Sequence, residues 1–284
     1  MTASVTTTTT PPSPSTTTAS ARQGAREALW ATAGLLSALW VGKHLARVSG
    51  FGDVIFTLIA AFQLYVPLWL IQRGGELPES HAIHAHGVLL GPIAALRRRV
   101  VFGRRRRGRG HRPGPFSRWL AHYGRGATLR PAALGRDLRA AVVVALITFP
   151  IFALSHHVWQ ELLGHPWRMW RVPDDLVVVW LKNTLLIALP EELFYRGFLE
   201  TRLERLWPTR RTFLGLPLGR TVVLASALFA LGHFLGEYNP ARLGPFFPAF
   251  VFSALTRRSG SITGAVAYHG ASNAFSFLLA AAYR

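Results

Sequence analysis

The stretch LVVVWLKNTLLIALPEELFYRGF, Leu176 to Phe198, decides the fold. Its opening residues, LVVVWLKNTLLIAL, read as part of a membrane span, and Lys182 is their one charge. Two adjacent glutamates, Glu191 and Glu192, and then Arg196 follow at once. An ionisable side chain at that depth costs roughly 3 kcal/mol or more and is a functional candidate by default.

The rest of the chain sets this stretch among others like it. Half of the 284 residues are hydrophobic and the mean hydropathy is +0.25. A span needs about 20 apolar residues. Apolar segments at or near that length lie at 28–41, 54–71, 140–159, 176–199, 221–236, 243–256 and 262–282. GVLLGPIAAL, residues 87–96, is too short to cross and reads as re-entrant or interfacial. The expected fold is all-α, a polytopic transmembrane bundle of about six to eight membrane helices around an intramembrane catalytic cavity. Its expected organisation is a disordered Thr/Ser/Pro-rich tail (1–25), N-terminal membrane helices (26–96), a basic loop (97–139) and a catalytic membrane domain (140–284).

Charge orients that bundle. The formal charge is +19, yet Lys43 and Lys182 are the sole lysines, so nearly all of it is arginine. Much sits in RRRVVFGRRRRGRGHR, residues 97–112. In a chain with apolar spans such a run reads as a cytoplasmic loop under the positive-inside rule, not as a nucleic-acid site. Loops 201–220 and 256–261 share the bias, and alternating the sides puts both with 97–139 in the cytoplasm. The expected location is the cell inner membrane, multi-pass, with the lipid bilayer as surroundings and no nucleic acid as partner. The side of the N-terminus stays open, because it depends on whether 81–96 crosses. No cysteine is present, which excludes disulfides, thiolate metal sites and a cysteine nucleophile.

The polar residues within the later spans are few. Of thirteen acidic residues, Glu191 and Glu192 alone fall well inside one. SALFALGHFLG adds His233, and VAYHGASNAF adds His269 and Asn273. Counted from the ends expected in the cytoplasm, Glu191, His233 and His269 lie roughly 12–20 Å deep at 1.5 Å per residue. Three helices thus bring polar groups to one level. Glu192 and Arg196 are i,i+4 and can pair, while Glu191 points about 100° away. Pro190 lacks an N–H, so a kink or widened turn is expected beside them. Phe229 and His233, and His269 and Asn273, share the same spacing, so the phenyl ring can pack on the imidazole.

These residues resemble the CPBP family of CAAX-protease and bacteriocin-processing membrane proteins, which includes the prenyl endopeptidases. EExxxR matches Glu191, Glu192 and Arg196; FxxxH matches Phe229 and His233; HxxxN matches His269 and Asn273. The ordered triple lies within residues 165–282, and the first 140 residues carry no such likeness. The resemblance implies a glutamate-dependent intramembrane endopeptidase acting on a membrane-anchored protein. Glu191 and His233 would activate water, His269 and Asn273 would form the oxyanion hole, and Glu192, Arg196 and Phe229 would support them. The arginine-rich composition also suits a myxosortase-type member that cuts C-terminal anchor segments. No prenyl site is specified.

Three other readings compete. HAIHAH offers His81, His84 and His86 as metal ligands, but HExxH is absent and interfacial histidines are the simpler view. Zinc on Glu191, His233 and His269 is geometrically open to this set, but no cofactor is the favoured reading. Ser261 or Ser272 could serve a rhomboid-like mechanism, which leaves Glu191, Glu192 and His233 unexplained. A scaffold or bacteriocin-immunity factor would have no need of the complete polar set.

Overall fold

The computed structural model describes residues 14–83, 130–169 and 172–283. The segment 87–96, the arginine run 97–112, His84 and His86 lie outside them, as does most of the basic loop.

Seven long helical elements make up most of the described chain. They are α1 (Pro14–Ser49), α2 (Gly52–Arg73), α3 (Pro131–Leu162), α4 (176–206), α5 (Arg220–Glu237), α6 (Phe246–Ser259) and α7 (Thr263–Ala281). The fold is all-α apart from one small hairpin, β1 (Arg211–Phe213) antiparallel to β2 (Leu216–Leu218). That hairpin was read as loop. Leu214 and Gly215 both take positive φ at its tip, the conformation a tight two-residue turn requires.

Helix α1 corrects the expected tail, for residues 14–25 are helical instead of disordered. The Thr/Ser/Pro composition ends near ASARQGAREAL, where Ala, Arg, Gln and Glu favour helix. The buried residues Ala25, Ala28, Thr32 and Leu35 then form one stripe against the bundle. Small side chains there let α1 approach closely.

Helices α2 and α3 are long and apolar enough to cross a membrane. Their apolar surface faces outward. On α3, Leu146, Ile147, Ile151 and Leu154 are each more than 60% exposed, while Ala133, Asp137 and Ala141 face inward. Such a surface is stable against lipid and costly in water, about 25 cal/mol per Å². The chain is a membrane protein with transmembrane helices.

Helix α4 is the central element. It packs on α1, α2, α5, α6 and α7, and every residue from Glu192 to Glu200 is buried. Its turns widen to i→i+5 hydrogen bonding over Asn183–Ala188 and again over Leu193–Glu200, flanking Pro190. Pro190 supplies no N–H, so the regular ladder fails there. Phe194, Phe198, Leu199, Phe229 and Phe252 fill the core beside it.

One end of the bundle is tied by ion pairs. Buried Arg202 on α4 reaches Glu27 of α1 at 2.5 Å and Glu76, just past α2, at 2.6 Å. It also donates to the Gly24 and Leu70 carbonyls and lies over the Phe198 ring. These contacts put the N-terminal half of α1 at the end where α4 finishes. Arg205 pairs with Glu76, and His81 Nε2 lies 3.2 Å from it. Alongside, Arg257 of α6 bridges Glu200 and Glu204.

Burial alone would push the Glu76 carboxyl up, but the His81 imidazole 3.2 Å away, the hydrogen bond from Arg205 and the charge of Arg202 bring it from an ordinary 4.5 to about 2. A folded value below the unfolded one contributes stability above pH 4.5, lost as pH falls towards 2. The thermal midpoint of detergent-solubilised protein is therefore expected to drop across that window. Glu76→Gln should lower it at neutral pH and flatten the acid-dependent drop.

Candidate active site

Three helices supply the residues singled out in the sequence. Glu191, Glu192 and Arg196 come from α4, Phe229 and His233 from α5, and His269 and Asn273 from α7. Helix α6 adds Phe252 and the Ala249 carbonyl.

Glu192 is fully buried and committed on both oxygens. One accepts from His269 Nδ1 at 2.9 Å, and the other lies 3.4 Å from Arg196 Nε. In the wide turns after Leu193 there are more than 3.6 residues per turn, so i,i+4 side chains stack more nearly above one another. Arg196 in turn donates to the Ala249 carbonyl at 3.4 Å and lies over the Phe229 and Phe252 rings, 4.5 and 5.0 Å from their centroids. Carboxylate and guanidinium thus neutralise each other, and aromatic faces take the remaining positive charge.

His269 is held from two directions. Its ring stacks on Phe252 at 4.6 Å and 13°, and its Nδ1–H donates to Glu192. Nε2 is thereby aimed at Glu191, 3.7 Å from Oε2. The space for this comes from Gly270, where a Cβ would lie 2.1 Å from Thr184 Oγ1 and 3.0 Å from its Cα. Gly270→Ala is expected to push α7 away from α4, costing about 1–3 kcal/mol by overpacking. It should lower the thermal midpoint, with a loss of activity as His269 shifts.

Glu191 meets this network through that 3.7 Å approach of His269. Its Oε2 is buried and makes no hydrogen bond among the described residues. It lines a cavity of about 250 Å³ together with His233, Tyr195, Gln63, Glu237 and Arg242. His233 donates through Nδ1 to the Phe229 carbonyl at 3.0 Å, an ordinary i,i+4 back-bond, and Phe229 packs edge-on at 4.6 Å. That bond sets the tautomer and leaves the Nε2 lone pair for the cavity. The arrangement holds a largely buried carboxylate and an imidazole acceptor on one space large enough for water. Together they can accept hydrogen bonds from a water and take its proton.

Asn273 stands outside this arrangement. It is half-buried one turn beyond His269, and it neither lines this cavity nor makes a hydrogen bond among the described residues. Ser272 donates to the Tyr268 carbonyl, and Ser261 bonds Thr263 at the arginine-rich end, so neither engages His269. His81 is buried against Glu76 and Ser80 and is not exposed at the surface. No three His or acidic side chains among the described residues are grouped to hold a metal ion.

Several cavity and support residues escaped the sequence reading. Gln63 is a polar residue in the middle of an apolar span, a signal of the same kind as His233, but it lies in the N-terminal half. Phe252 sits among the aromatics of FFPAFVF with nothing local to mark its stack on His269. Arg242 follows a span and looks like an ordinary loop residue.

Residues 173–275 match the family described as Type II CAAX prenyl endopeptidase Rce1-like. The matched stretch contains all three motifs, from Glu191 to Asn273. No curated protein and no solved structure matches the chain.

Proposed function

We propose, with that family match as premise, that the chain is an intramembrane endopeptidase of the glutamic type, cutting membrane-anchored proteins in or next to the anchor. One observation supports the mechanism: the buried Glu191 Oε2, which makes no hydrogen bond among the described residues, shares a cavity with His233. Glu191 and His233 hold a water between them, and Glu191 takes its proton as the oxygen attacks the scissile carbonyl. The tetrahedral intermediate collapses with that proton passing to the leaving nitrogen, so the C–N bond breaks to an amine and a carboxylic acid, whose proton the amine then takes up.

His269 and Asn273 are the proposed oxyanion donors. Since His269 Nδ1–H is engaged by Glu192, the ring reaches the oxyanion only through Nε2, which must then carry a proton as well. Donors of this kind contribute about 3–4 kcal/mol each when removal is the test. The role of Glu192 and Arg196 is to fix His269 and the wide turn.

The bundle is proposed to sit multi-pass in the cell inner membrane, with the seven helical elements as its membrane helices. The anchor concentrates a substrate in the bilayer, and a hydrated peptide must shed water to enter. Soluble peptides without an apolar segment should therefore be cut poorly. The test is mass spectrometry of membrane-protein termini in cells carrying the parent chain or Glu191→Ala. New termini at hydrophobic segments that vanish with Glu191→Ala support the reading, and identical terminal sets in the two strains contradict it.

A further inference from the structure

We infer that the catalytic cavity opens on the face opposite the arginine-rich end, so that this chain cuts its substrates on the extracytoplasmic side of their anchors; the cutting itself rests on the function proposed above. The cavity wall shows the direction. Leu39 lies late in α1, Phe56 early in α2, Leu186 in the first half of α4, and Gly236 and Glu237 at the close of α5. All of these belong to the end where α1 turns into α2 and α5 passes towards α6. Arg242 stands on that same linker, 3.1 Å from Glu237, and both are about half exposed. This pair makes that part of the rim charged and half exposed.

The other end is closed. Below Glu191 the chain is buried without a break from Glu192 to Glu200, with Arg196 wedged between Phe229 and Phe252. Beyond that plug come Arg202, Arg205, Arg220, Arg257 and Arg258, at the ends of α4 and α6 and the start of α5. The rim linkers are balanced by comparison: 43–53 carries Asp53 against Lys43 and Arg47, 237–242 carries Glu237 against Arg242, and 160–175 carries Glu161, Asp174 and Asp175 against Arg168 and Arg171. The positive-inside rule places the arginine-rich end in the cytoplasm. Glu191 is then reached from outside. Helices α2 and α4 pack together from Leu189 onwards, and their outer parts leave Phe56 and Leu186 half exposed, so the wall facing lipid there is apolar. An anchored chain can keep its apolar segment in the bilayer while its extracytoplasmic flank enters the rim.

The absence of cysteine makes the test direct. Single cysteines are placed at Gly236, where a Cβ meets nothing within 4 Å, at Ala60 deeper in the cavity, and at Arg211 on the hairpin. Spheroplasts carrying each full-length variant are treated with a membrane-impermeant maleimide, before and after lysis, using variants whose gel-filtration profile in detergent matches the parent. Gly236→Cys and Ala60→Cys are expected to label fully before lysis, and Arg211→Cys only after it. Labelling of the cavity cysteines only after lysis, their failure to label in either state, or labelling of Arg211→Cys before lysis would each overturn the inference. The readout needs no proteolysis, so an inactive chain would leave it standing and an active one would not rescue it.

Discussion

Glu191→Gln is expected to lower cleavage by about 10²–10⁴-fold, the range of a lost general base, while leaving the thermal midpoint unchanged. The amide occupies the same volume but cannot take a proton from water. Because Glu191 Oε2 makes no hydrogen bond among the described residues, the fold forfeits no bond there when the charge is removed. The split between activity and stability is the informative outcome. A packing role would move both together.

Glu192→Gln is expected to behave in the opposite way. Glu192 and Arg196 are both almost wholly buried, and removing one partner of a buried pair leaves an uncompensated charge costing about 3–5 kcal/mol. The thermal midpoint and the yield should fall. Activity per folded molecule should fall less than with Glu191→Gln, because the amide oxygen can still accept from His269 Nδ1. The double variant Glu192→Gln with Arg196→Met removes both charges and should recover part of the lost stability. If it instead loses the sum of the two single effects, the pair is not the element that holds this turn.

Helix placement was legible because apolar runs in this chain are long and their breaks are polar or contain Gly and Pro. The run 54–71 lies inside α2, and the Glu192–Arg196 pair follows from i,i+4 spacing alone. Composition misled at 14–25, where a window rich in Thr and Pro overlaps the first Ala-rich turns of α1. The widened turns beside Pro190 were anticipated only as a local disturbance. Their extent depends on what α4 packs against. Contacts between elements far apart in the chain were the least legible: nothing near His269 indicates that its Nδ1 goes to Glu192, and nothing near Arg202 indicates a clasp on Glu27 and Glu76. The common depth of Glu191, His233 and His269 did correspond to proximity, since the first two share a cavity and the third lies 3.7 Å from Glu191. The i,i+4 spacing from His269 grouped Asn273 with them, yet it makes no hydrogen bond among the described residues.

The most direct measurement is cleavage of an anchored peptide by the purified chain in detergent, with a chelator and a serine-directed fluorophosphonate both present. The parent is expected to retain its rate under both reagents, and Glu191→Gln and His233→Ala are expected to lose theirs while remaining folded. Full activity in well-folded Glu191→Gln, or loss with chelator restored by stoichiometric zinc, would contradict the glutamate mechanism.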